Sequence, residues 1–192
     1  MKKTTILSAL FFFTLSAIAQ QASIAGTVLR PDGTAAPGAL VQLLDAQGQL
    51  IATTTVNAAG AYQFTGIPTG QEYTLVPEVP GLPLYEVSTL DIVVGAQHIL
   101  NLNQLDTPLK LVAGDVNESG SLTTFDLINM RQLVLGAISN FPRDWLFLRT
   151  DIQFYNDQEP WLGFSGSSNT LLLEGDVAGF DFFAIKMGDL SW

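Results

Sequence analysis

The twelve residues from Asp115 to Asp126, DVNESGSLTTFD, hold the densest regular run of side-chain oxygen in this 192-residue chain. Asp115, Asn117, Ser119, Thr123 and Asp126 occupy positions 1, 3, 5, 9 and 12 of the stretch, and Ser121 at position 7 can add a main-chain carbonyl. Gly120 falls at position 6, where the chain must turn sharply. A hard cation takes roughly six to eight oxygens, and a turn with alternate side chains facing inward can supply them.

This is the spacing of an EF-hand type Ca²⁺ loop. It departs from the usual pattern twice, with Ser at position 5 and Asp at position 12. The shorter carboxylate at position 12 reaches an ion less readily through both oxygens. Asp115 and Asp126 alone carry formal charge toward the ion, so the expected affinity is weak, on the order of 10⁻⁵–10⁻³ M.

A helix must follow the loop to hold it. Thr123-Thr124-Phe125-Asp126 is an S/T-x-x-D capping box, which satisfies free N–H groups at a helix start. The same pattern stands 35 residues earlier, Asp91 matching Asp126, as Ser88-Thr89-Leu90-Asp91. Apolar stripes follow in both copies: Leu90, Val93, Ile99 and Leu100 in one, Phe125, Ile128, Val134 and Leu135 in the other. These are expected to bury each other in an antiparallel helix pair. Upstream of the first copy, Pro80, Leu82 and Leu84 stand where loop positions 1, 3 and 5 would be, and they carry no ligand oxygen. That site is expected to be empty or reduced to Glu86, Asp91 and main-chain carbonyls.

Before the repeat, Ser23 to Pro77 alternates short apolar runs with turns. The runs are Ile24–Val28, Ala39–Leu44, Leu50–Val56, Ala61–Phe64 and Tyr73–Val76, at roughly ten-residue spacing, which predicts a small antiparallel sandwich. After the repeat, Trp145–Leu148, Asp151–Phe154, Thr170–Leu173 and Phe180–Ile185 read as further strands. Gly188-Asp189-Leu190-Ser191 looks like the opening of another calcium loop. With the sequence stopping at Trp192 it is expected to end a strand rather than form a site.

Two resemblances rest on these residues. GTVLRPDGTAAPGALVQLLD and TTTVNAAGAYQFTGIPTGQEYTLVP, with Gly60–Phe64 and Pro37–Val41 as markers, resemble the carboxypeptidase-regulatory-like and Cna-B-like sandwich families. Some Cna-B-like domains carry a Lys–Asn isopeptide cross-link; no lysine lies between Gln20 and Leu109, so that chemistry is excluded here. Gly114 to Gly136 resembles a type I dockerin repeat, and Val87 to Leu100 looks like its partner repeat with the loop worn away. The dockerin resemblance implies bound Ca²⁺ and a cohesin-like partner facing Thr89, Leu90, Thr124 and Phe125. The FPRDWLFL and DFFAIKMGDL segments resemble the extension beside dockerin-like repeats in secreted modular proteins.

The expected fold is mixed and mainly β. It comprises a signal peptide at 1–19, a β-sandwich at 20–79, a dockerin-like pair of antiparallel helices with one EF-hand type calcium loop at 80–137, and a β-rich extension at 138–192. The signal rests on Lys2 and Lys3, an apolar run from Ile6 to Leu15, and a small-x-small site at Ala17-Ile18-Ala19. It predicts a secreted, extracellular or cell-surface protein without a membrane span in its mature form. Removing Lys2 and Lys3 with the leader takes the net charge from −10 to −12. Such a surface repels nucleic acid and suits cation binding. The chain has no cysteine, so disulfides cannot staple it.

An enzyme is not expected. His98 is the single histidine and has no nucleophile motif beside it. The function expected is a non-catalytic, calcium-binding adhesion or scaffold module that docks a protein partner. The alternative is a carbohydrate-binding protein or an accessory part of an extracellular polysaccharide-degrading system. For that reading Trp145, Trp161 and Trp192, with Phe154 and Tyr155, could form a sugar-stacking platform.

Overall fold

Five strands follow one another through short turns: β1 (Gln21–Leu29), β2 (Leu40–Asp45), β3 (Leu50–Thr55), β4 (Ala61–Pro68) and β5 (Gln71–Glu78). The computed structural model describes residues 20–192, so the expected leader at 1–19 lies outside the described residues. Side-chain carboxyl and amide groups shape the turns. Asp45 Oδ1 accepts from the Gln47 and Gln49 N–H groups, and Asn57 Oδ1 from those of Ala59 and Ala61.

Three helices come next, α1 (Thr89–Ile99), α2 (Pro108–Gly114) and α3 (Thr124–Val134). Then follow β6 (Trp145–Arg149), β7 (Gln153–Phe154), a 3₁₀ turn at Pro160–Leu162, β8 (Phe164–Ser165), β9 (Thr170–Leu173) and β10 (Phe182–Lys186). The strands form two four-stranded sheets, ordered β4-β1-β10-β6 and β3-β2-β5-β9, beside a small β7-β8 ribbon. The pairs are antiparallel except β1 with β10, which run parallel with Val28 opposite Phe182. The sandwich therefore draws strands from 20–79 and from 138–192 alike.

The apolar runs WLFL and FFAI explain how. Along β6 and β10, side chains alternate between two cores. Trp145, Phe182 and Ala184 join Ile24, Val28, Val41, Leu43, Phe64, Tyr73, Leu75 and Leu173 between the sheets. Leu148 and Ile185 face the other way, into a second core with Leu111, Val116, Met130, Leu133, Phe141 and Leu190 under the helices. A strand covered on both faces needs apolar residues at every position, so it shows no alternation.

The two predicted capping boxes are formed. Ser88 caps α1 and Thr123 caps α3, with Asp91 and Asp126 returning the bond to the cap N–H. The α2 helix was not anticipated, although Thr107 as its cap and Pro108 in its first turn are a start signal.

The burial direction of α1 and α3 differs from expectation. The helices do pack together: a Cβ on Gly95 would come within 2.7 Å of Leu127 Cδ2. But the buried positions are Asp91 and Gly95 on α1, and Asp126, Met130 and Leu133 on α3. Leu90, Val93, Leu100, Phe125, Ile128 and Leu135 stand exposed. Each capping aspartate faces inward, which turns the residue before it, Leu90 or Phe125, about 100° away toward solvent.

Candidate metal centre

Asp115 sits at the C-terminal end of α2 and is 4% exposed. Its Oδ1 accepts from Ser119 N at 2.8 Å and Ser119 Oγ at 3.3 Å, while Oδ2 accepts from Gly120 N at 2.8 Å. Asn117 Oδ1 accepts from Ser119 N at 3.0 Å, and Ser119 Oγ also donates to the Ser121 carbonyl at 3.2 Å. The oxygens at positions 1, 3, 5 and 7 thus gather around one turn. Glu118 and Gly120 take positive φ, 58° and 82°, to make that turn, and at position 6 glycine does so without strain.

Asp126 closes the stretch from the helix side. Its Oδ2 accepts from Thr123 N at 2.8 Å and Thr123 Oγ1 at 2.9 Å, the capping contacts. Its Oδ1 accepts one longer bond, 3.3 Å, from Asn117 N across the turn. The structure places Asp115, Asn117, Ser119 and Ser121 together, with Asp126 reaching in. Thr123 turns its hydroxyl toward the helix, where it also accepts from Phe125 N at 3.2 Å.

These groups fit a hard cation in kind: two carboxylates, an amide oxygen, a hydroxyl and a carbonyl. Among the described residues, no three His, Cys, Asp or Glu side chains converge to hold an ion by themselves. An ion here would depend on the neutral oxygens as well as on Asp115 and Asp126.

Around the loop lies a surface cavity of about 360 Å³, lined in part by Asp115, Glu118, Gly120, Arg143 and Trp161. Arg143 pairs with Glu118 at 3.0 Å, an exposed contact of small energetic weight. Trp161 is half-buried, and its Nε1 is buried without a partner among the described residues.

The four residues named for partner contact, Thr89, Leu90, Thr124 and Phe125, are all exposed, Leu90 at 56% and Phe125 at 70%. The tryptophans do not share a surface. Trp145 is buried between the sheets with its ring 5.9 Å from Tyr85, and Trp192 is half-buried with Lys110 Nζ 5.5 Å from its ring. Phe154 packs edge-on against Phe164, while Tyr155 is exposed. His98 Nδ1 accepts from Leu105 N at 3.2 Å, and burial lowers its pKa, so it serves as a neutral fastener of the loop after α1.

Sequence reasoning missed one charged cluster. Arg30, at the end of β1, is buried against Asp32, Glu86 and Asp189. Three of the four lie far apart in the chain: the parallel β1–β10 pairing sets Asp189, just past β10, near Arg30, just past β1, and Glu86 comes from the loop before α1.

Residues 23–104 match the family model for the carboxypeptidase regulatory-like domain, a non-catalytic β-sandwich. The match begins in β1 and runs past α1, over somewhat less than half of the chain. No curated protein matches the chain. No helix among the described residues is long and apolar enough to cross a membrane.

Proposed function

We propose that this protein is a secreted, non-catalytic scaffold module that binds Ca²⁺ at Asp115–Asp126 and docks an extracellular protein through α1 and α3. The observation that carries this reading is a duplicated apolar face. Leu90, Val93 and Leu100 on α1 match Phe125, Ile128 and Leu135 on α3 at the same 35-residue offset, and all six are exposed. Six large apolar side chains in two equivalent stripes resemble the surface of an unfilled interface more than scattered exposure. The dockerin resemblance supplies the class of partner, a cohesin-like module. Calcium would brace the turn that launches α3 and so hold Thr124 and Phe125 in place.

The test is capture from culture supernatant by the immobilised protein, in Ca²⁺ and in EDTA, with Leu90→Ser/Phe125→Ser as control. A partner held only in Ca²⁺ and lost in the double variant is expected. An identical protein set in all conditions would overturn the proposal.

A second reading, glycan binding, is favoured by Trp161, whose half-buried ring lines the loop cavity. A glycan array on which wild type and Trp161→Ala both stay blank would remove it.

A further inference from the structure

Gly114-Asp115-Val116-Asn117 opens the loop that ends on Asp126. Gly188-Asp189-Leu190-Ser191 repeats its order of residue types: glycine, aspartate, apolar, polar. The structure lays this second segment against the other capped helix. Leu190 N donates to Asp91 Oδ1 at 2.8 Å, as Asn117 N donates to Asp126 Oδ1 at 3.3 Å. In both copies the remaining oxygen serves the cap. Asp91 Oδ2 takes Ser88 N and Oγ at 2.8 and 2.9 Å, and Asp126 Oδ2 takes Thr123 N and Oγ1 at the same distances.

The second segment also meets the helix residue just before the first, Gly188 N donating to Ala113 O at 2.7 Å. Val116 and Leu190, the apolar third members, are equally buried at 1%. The donor to the capping aspartate is one residue earlier in the second segment, so the copies are similar rather than superimposable.

They differ in what meets the opening aspartate. Asp115 is met by its own loop. Asp189 is met by Arg30, whose Nη2 lies 2.9 Å from Asp189 Oδ2 and also binds the Glu86 carboxylate. Arg30 Nη1 reaches Asp32 Oδ2 at 3.2 Å. The guanidinium is 6% exposed and Asp189 is 2% exposed. Burial pushes the Asp189 carboxyl up; Asp91 and Glu86 push the same way, and Arg30 opposes them. One positive charge therefore faces Asp32, Glu86 and Asp189, with Asp91 close behind.

We propose that α1 and the Gly188–Ser191 segment form a second, split copy of the cation loop, in which the Arg30 guanidinium permanently holds the place of the ion. A guanidinium stays charged at any physiological pH and donates in several directions at once. It gives α1 a brace that needs no free calcium, and it ties the end of β1 to that helix. The proposal rests on the calcium reading of Asp115–Asp126, which supplies the pattern being copied.

The test uses the full chain carrying Asp115→Ala, so that the first loop is silent. Calcium titration calorimetry and melting curves are taken for this chain, for it with Arg30→Ala, and for it with Arg30→Ala/Asp189→Asn. Removing Arg30 should leave the carboxylates unpaired and receptive. We expect one new equivalent of Ca²⁺ and a melting temperature about 4 °C higher at tenfold excess over Kd than in chelator. The Asp189→Asn addition should abolish both. If the Arg30→Ala chain is unfolded in chelator, Ca²⁺ should restore its circular dichroism. Equal melting with and without Ca²⁺, no heat, or recovery by NaCl at matched ionic strength would overturn the proposal. Ca²⁺ bound by the Asp115→Ala chain with Arg30 intact would count against the first loop and, if lost on Asp189→Asn, would overturn the proposal as well.

Discussion

Asp115 organises its turn whether or not an ion is bound, because its two oxygens accept three hydrogen bonds from Ser119 and Gly120. Asp115→Ala should therefore cost stability even in chelator, by about 1–3 kcal/mol for the N–H groups left without an acceptor. It should also abolish any rise in melting temperature on adding Ca²⁺. Calorimetric melts of both proteins, each in EDTA and in Ca²⁺, separate the two effects. Lys186 poses a different single-residue problem. Its ammonium is buried, donating to the Asp144 and Met187 carbonyls, and burial lowers its pKa from 10.5 to about 8. Between those values the unfolded chain holds a proton that the folded chain lacks, so stability rises with pH across that window. The gain is on the order of 3 kcal/mol. Urea titrations from pH 7 to 10 should show this rise in wild type, and Lys186→Met should flatten it.

At the scale of elements, local chemistry was legible and coverage was not. The capping boxes of α1 and α3 follow from Ser88/Asp91 and Thr123/Asp126 because all partners lie within one turn. The first five strands were legible because their turn residues and alternation are local. The apolar stripes were read correctly as stripes, but periodicity says nothing of what covers them, and tertiary packing turned Asp91 and Asp126 inward instead. The turn around Asp115 was legible as one gathering of side-chain oxygens, except that Thr123 is engaged by its helix cap. The Arg30 cluster had no sequence signal, since Asp189 and Glu86 are distant in the chain and meet Arg30 only in the folded protein. Gly26 in β1 lies so close to Phe180 that an added Cβ would fall 2.2 Å from its carbonyl oxygen. Gly26→Ala should force β1 from the segment before β10 and cost about 2–4 kcal/mol, measured by chemical denaturation. An unchanged midpoint would contradict the close packing of these segments.

For the whole molecule, the family match and the folding unit have different extents. Residues 23–104 carry the match, yet Leu173, Phe180, Phe182 and Ala184 fill the core between the sheets. A fragment of residues 20–104 lacks β6, β9 and β10 and would leave both sheets short and their inner faces open. It should show no cooperative thermal transition and should bind a hydrophobic dye, whereas residues 20–192 should melt as one unit. A sharp calorimetric peak from the fragment would refute this.

The parallel seam between β1 and β10 sets the order in which this protein can be completed. Thr27 meets Asp181, 154 residues along, so a ribosome has released β1 long before its neighbour exists. Until then the growing chain holds an unfinished sheet with an open edge, slow to close because so much intervening polypeptide must be gathered first. Maturation must therefore wait until most of the chain has emerged.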